Sequence, residues 1–177
     1  MTERKRGRLP PPDPRYHGTM LDAHLLDDIS DDRAAQRAAR DKIVELPKTL
    51  FQIMLPHSVK AEIDHPRTPA VVKERASAFI YSFDTKIASA DIVRKAKSIM
   101  RGNAASAKHD RDAEHCCDAS IWGSFFVTLD DRIVRKREEM RAALPGLWIM
   151  TPVEWIDNLA HHERTTLIDD DYLPVII

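Results

Sequence analysis

Glycine is scarce in this chain, with five residues in 177. A phosphate-cradling loop needs several glycines at fixed offsets, and these five stand apart, so the nucleotide-loop classes are excluded. Cysteine is scarcer still: the two, Cys116 and Cys117, are neighbours. Adjacent cysteines rarely bridge, so no disulfide framework is available and a reducing compartment is expected. His109 and His115 lie near them, but the spacing matches no common zinc pattern, and the expectation is a buried thiol pair beside a polar helix-face His. Aromatics make up 6% and form no cluster on which bases could stack. No apolar run approaches the ~20 residues needed to span a bilayer. Met1 to Arg8 is basic with no apolar stretch behind it, so neither a secretory signal nor a membrane partner is expected, and the reading is cytoplasmic. A net charge of −1 leaves no overall field to attract nucleic acid, so any such partner must meet a local patch.

What is present is an ordinary globular balance, 43% hydrophobic and 31% charged, in a length that suits one domain with tails. Residues 1–15 carry Arg4, Lys5, Arg6 and Arg8, then Pro10, Pro11, Pro12 and Pro14, and read as a basic, proline-rich, disordered tail. Residues 16–160 read as the domain and 161–177 as a C-terminal extension.

Within the domain, four short apolar runs suit strands: 18–21, 50–55, 125–128 and 147–150. Helical spacing is read over 34–46, from Ser58 through Ile63, over 71–83 and 91–100, and from Asp110 to Trp122 with Gly123 as its stop. Two more helices are expected, over 131–144 and from Thr151-Pro152, where proline suits the first helical position. Strands alternating with helices predict an α/β fold: a three-layer α/β/α sandwich around a mostly parallel sheet of four to five strands.

In such sheets ligands bind at the carboxyl ends of the strands. Asp22 follows the first strand directly, Asp130 lies just past the run 125–128, Asp112 sits in the first turn of a helix entering the same sheet, and Glu62 lies in the helix after the second strand. Carboxylates gathered at one edge repel each other; they raise their pKa values or bind a cation. Oxygen donors without His or Cys select Mg²⁺ or Mn²⁺ over zinc, and those ions suit phosphoryl chemistry. Singly, each acid also suits a turn or a cap, since the chain has 28 acidic residues.

The order of motifs adds a resemblance. Met20-Leu21-Asp22-Ala23-His24-Leu25-Leu26 resembles the opening motif of the PIN-domain family. Asp112-Ala113-Glu114-His115-Cys116-Cys117-Asp118-Ala119 resembles its Asp-x-x-(apolar or His)-x-x-x-Ala helix. Phe126-Val127-Thr128-Leu129-Asp130 resembles its Val-Thr-x-Asp strand end, and Leu147 through Glu154 its closing strand and Thr-Pro-x-Glu exit. The match runs in order over 18–158.

The resemblance implies a metal-dependent endoribonuclease, of the kind that includes VapC-type toxins of toxin–antitoxin pairs. Asp22, Glu62, Asp112 and Asp130 would hold Mg²⁺ or Mn²⁺, Thr128 would place its hydroxyl beside them, and RNA would be cut to a 5′-phosphate and a 3′-hydroxyl. It also implies an antitoxin protein and a second copy of the chain as partners to consider. His24 stands where the family usually has Asn or Ser; an imidazole there would contact a phosphate or crowd the site, and the latter motivates the alternative of a PIN-like RNA- or protein-binding domain without turnover. Arg132, Arg135 and Lys136 follow Asp130 directly; they read equally as a solvated helix face and as contacts to the RNA backbone. A receiver-type domain would need a Lys after a late strand, and no convincing one is present.

Overall fold

The computed structural model describes residues 10–82, 89–103, 107–123 and 125–170, with 108 and 166–170 as backbone only. Five strands, β1 (Thr19–Leu21), β2 (Ile53–Leu55), β3 (Ile80–Tyr81), β4 (Phe125–Val127) and β5 (Trp148–Met150), form one sheet in the order β3-β2-β1-β4-β5. Every pairing is parallel. Among the described residues eight α-helices cover it: α1 (Ala34–Glu45), α2 (Lys60–Ile63), α3 (Ala70–Ala76), α4 (Ala90–Arg101), α5 (Asp110–Trp122), α6 (Asp131–Arg135), α7 (Arg137–Ala143) and α8 (Pro152–Asp170). The architecture is the expected three-layer α/β/α sandwich.

The period-two geometry of a strand sorts its residues between two cores. The middle residues Met20, Met54, Phe126 and Ile149 point to one face and pack with Ala96, Met100, Cys116 and Met140 from α4, α5 and α7. Their neighbours Leu21, Ile53, Leu55, Phe125, Val127 and Met150 point to the other, against Ile43 of α1 and Trp155 and Leu159 of α8. Both faces being covered, β1, β2 and β4 are buried along their whole length, as parallel strands require. Trp155 is fully buried, stands edge-on to Phe125 at 6.5 Å, and donates its indole N–H to Thr19 Oγ1 at 3.1 Å. Both cysteines are buried, and burial raises the Cys117 thiol to about 11.

Several boundaries differ from the sequence reading. The helix expected over 71–83 ends at Ala76; Ser77 returns its hydroxyl to the Glu74 carbonyl at 2.6 Å, and a turn at 77–79 releases Ile80-Tyr81 to pair with β2. Phe83 lies outside the described residues. The strand expected from Leu50 begins at Ile53, because Leu50 and Phe51 donate their amides to the Pro47 carbonyl in a turn. The helix expected over 131–144 breaks at Lys136, whose amide bonds to Ile133 and tightens the turn. The tail expected over 1–15 is anchored where it is described: Asn158 donates to the Pro12 carbonyl at 3.0 Å, Pro14 is buried, and Asp13 caps a 3₁₀ turn at 14–16. Helix α8 passes residue 160 without a break; the segment 171–177 lies outside the described residues. No helix among the described residues is long and apolar enough to cross a membrane.

The loop after β1 is held by arginines. Arg40 donates to the carbonyls of Leu25 and Asp27, Arg75 to that of Leu26, and Arg37 to that of Ile29. Arg40 is itself buried, and its charge sits among these carbonyls.

Gly123 ends α5 as expected, in extended rather than left-handed backbone, with φ −145°. Its role is close approach. A Cβ on Gly123 would lie 2.7 Å from the Gly18 carbonyl oxygen, and one on Gly18 would lie 2.7 Å from the Trp122 carbonyl oxygen. Backbone must therefore move if either gains a side chain. We expect Gly18→Ala to lower stability by about 1–3 kcal/mol in urea unfolding; an unchanged midpoint would show that the approach is not limiting.

Candidate functional site

The strand order reverses direction between β1 and β4, the point where open α/β sheets form a crevice. Asp22 leaves β1 there, and its amide donates to the Val127 carbonyl of β4 at 3.0 Å. Its carboxylate is buried. The fully buried Thr128 hydroxyl donates to Asp22 Oδ2 and accepts the Asp130 amide at 3.0 Å. One hydroxyl thus fixes two acids from neighbouring strands.

The other two acids reach the same crevice. Asp112, in the first turn of α5, has its Oδ2 3.7 Å from Arg132 Nη2, and the same Nη2 lies 2.6 Å from Asp130 Oδ2. Glu62, on α2, lies 3.4 Å from Nε2 of His115. All four predicted acids therefore meet through shared neighbours, with His24 against Asp22 at 3.6 Å. Arg132 belongs to this group; Arg135 is exposed, and Lys136 pairs with Glu139 at 3.1 Å, so neither is drawn into it.

Each acid's ionisation follows from its neighbours. Burial disfavours the Asp22 carboxylate, but His24 and Thr128 outweigh it and hold its pKa below the usual range. The same pairing raises the His24 imidazole to about 9, with Asp130 and Glu62 adding to it. His115 holds Glu62 low against its burial, and Arg132 does the same for Asp130. Asp112 alone goes the other way: burial raises it, and the charges of Asp130 and Asp22 work against Arg132 and His115. Its Oδ2 is buried and has no hydrogen-bond partner. His109 lies 3.4 Å away, but its Nδ1 is 2.6 Å from Arg132 Nη1 and is engaged there.

Sequence reading missed His115 as a site residue. It is buried rather than on a polar face, with Nδ1 2.7 Å from Ser58 Oγ and Nε2 toward Glu62, while the Ser58 amide donates to Asp118 at 2.9 Å. The signal was its place three residues after Asp112, on the same helix face.

The donor chemistry, four carboxylates with one buried oxygen left without a hydrogen bond, fits a hard divalent cation. Among the described residues no group of three or more His, Cys, Asp or Glu side chains is arranged to hold a metal ion. The arrangement present is a set of ion pairs in which His24, His115 and Arg132 sit between the acids.

In comparisons with known proteins, no family model, no curated protein and no solved structure matches the chain.

Two outcomes test this geometry. Thr128→Ala leaves a buried carboxylate oxygen and a backbone amide without their partner and should cost about 1–3 kcal/mol, most of it recovered by Thr128→Ser; equal stability of all three proteins would refute the bridge. The His24 pKa lies above the usual imidazole value of 6.5, so its contribution to stability is fully present below pH 6.5 and fades as pH rises through about 9. Proton NMR should show His24 titrating well above 6.5 in the wild type and near 6.5 in Asp22→Asn.

Proposed function

We propose that this chain is a Mg²⁺- or Mn²⁺-dependent endoribonuclease of the PIN type, with Asp22, Glu62, Asp112 and Asp130 as the metal-holding acids. The observation that carries the reading is the Asp112 carboxylate oxygen, buried near Asp130 and Asp22 without a hydrogen bond. An unsatisfied buried carboxylate costs about 1–3 kcal/mol or more, and such groups persist where a ligand or reaction needs them. The order of motifs along 18–158 and the placement of the acids at the switch point support the same reading.

When bound, the cation supplies charge stabilisation at the attacked phosphate and a more acidic water. The chain's own residues do the positioning. Thr128 holds Asp22 and Asp130 in register, and His115 directs Glu62 toward the crevice. Arg132, half exposed and paired with Asp130, would supply the charge for a phosphate of the RNA backbone. A toxin role with an antitoxin partner belongs to the same proposal.

A second reading has its own observation. His24 lies on Asp22 with a pKa of about 9, so a cation already sits at the opening acid. A binding domain without turnover would look like this.

RNA incubated with purified protein and Mn²⁺ separates the two. We expect cleavage to 5′-phosphate ends, lost by at least about 100-fold in Asp112→Asn, a loss typical of removing a group that acts in the transition state. In metal-free buffer Asp112→Asn should be no less stable than wild type, because burial disfavours the carboxylate and its buried oxygen has no hydrogen bond to lose. Equal RNA degradation by both proteins would sink the nuclease reading. Millimolar Mn²⁺ failing to bind in calorimetry would favour the second.

A further inference from the structure

We infer that Arg132 is a built-in competitor of the divalent cation: its guanidinium occupies the Asp112–Asp130 gap and must leave it before a metal ion can be held there. The inference rests on the proposed metal site and adds to it how that site is kept closed.

Three features carry it. The first is local geometry. Arg132 stands two residues after Asp130, at the second position of α6, and its backbone amide donates to Asp130 Oδ1 at 2.8 Å. Its side chain then folds back on the same carboxylate, with Nε 3.2 Å from Oδ1 and Nη2 2.6 Å from Oδ2. That two-pronged grip uses both Asp130 oxygens, which a metal ion would also use.

The second is the imperfect fit to Asp112. Nη2 reaches only 3.7 Å from Asp112 Oδ2, close enough for charge but too far for a hydrogen bond. The oxygen therefore keeps its full appetite for a donor or a cation. A guanidinium that satisfied both acids would be a structural clamp; one that satisfies a single acid and only neutralises the other is a displaceable partner.

The third is where the side chain can go. It is half exposed, and its Nη1 already rests on the His109 imidazole at 2.6 Å. Release from the acids needs only side-chain rotation. The freed guanidinium would remain at the rim, where an incoming phosphate can take it.

The test is a Mn²⁺ titration by calorimetry and by melting temperature, on the full chain. Arg132→Gln should bind Mn²⁺ about tenfold more tightly than wild type, and its melting temperature should rise more on adding Mn²⁺. Arg132→Lys keeps the charge without the fork, and should fall between the two; it serves as the readout if Arg132→Gln does not fold. Arg94→Gln, which removes an equal charge from an exposed position on α4, should leave Mn²⁺ affinity at the wild-type value. Equal or weaker binding by Arg132→Gln and Arg132→Lys, in a wild type that binds Mn²⁺, overturns the competitor role alone. No Mn²⁺ binding by wild type or by either Arg132 variant overturns both this role and the metal-site reading.

Discussion

The crevice depends on one buried hydroxyl. Thr128 has no exposure to water, gives its proton to Asp22 and takes that of the Asp130 amide. A carboxylate as buried as Asp22 would ordinarily be expelled or protonated. Held by Thr128 and His24, it remains ionised at the end of the central strand. The spacing of β1 and β4 must then match a hydroxyl's reach, and the parallel register Thr19–Phe125, Met20–Phe126, Leu21–Val127 delivers it. The glycine contact at the other end of these strands, Gly18 against Gly123, lets the same two segments lie close.

Around that bridge the chain arranges opposite charges in pairs: Asp22 with His24, Glu62 with His115 and more distantly Arg111, Asp130 with Arg132. Such pairing makes a buried acidic cluster foldable without a ligand. It also ranks the acids. Asp130 has a strong partner, Glu62 and Asp22 have imidazoles, and Asp112 is left with charges too distant to hydrogen-bond. The least satisfied acid is the one that gains most from a new cation.

Much of this was legible in the residues, and the reasons for the rest are physical. The apolar runs at 19–21, 125–127 and 148–150 announced strands because a sheet covered on both sides wants unbroken hydrophobicity. Asp22 and Asp130 were legible because they follow such runs immediately. Ile80-Tyr81 was hidden because a helix-like pattern runs straight into it, and only its pairing with Met54 and Leu55 makes it a strand. His115 was hidden because local sequence cannot tell a buried face of α5 from a solvated one; Ser58, 57 residues away, supplies its partner. Arg132 was read equally as part of a solvated helix face and as an RNA-backbone contact, and its grip on Asp130 is a matter of rotamer that no spacing reveals.

The arginines that hold the loop after β1 have a consequence for how the crevice can open. They grip main-chain carbonyls and, as second partners, the carboxylates of Asp41, Asp28 and Asp31, and a guanidinium keeps its proton throughout the range in which proteins survive. The grip on the carbonyls therefore outlasts protonation of those aspartates, and moving the loop would strand Arg40's buried charge. The Arg132 guanidinium, by contrast, is held by the side chains of Asp130 and His109. The loop is pinned to the backbone and the guanidinium to side chains, so an opening of the crevice would begin at Arg132 rather than at the loop.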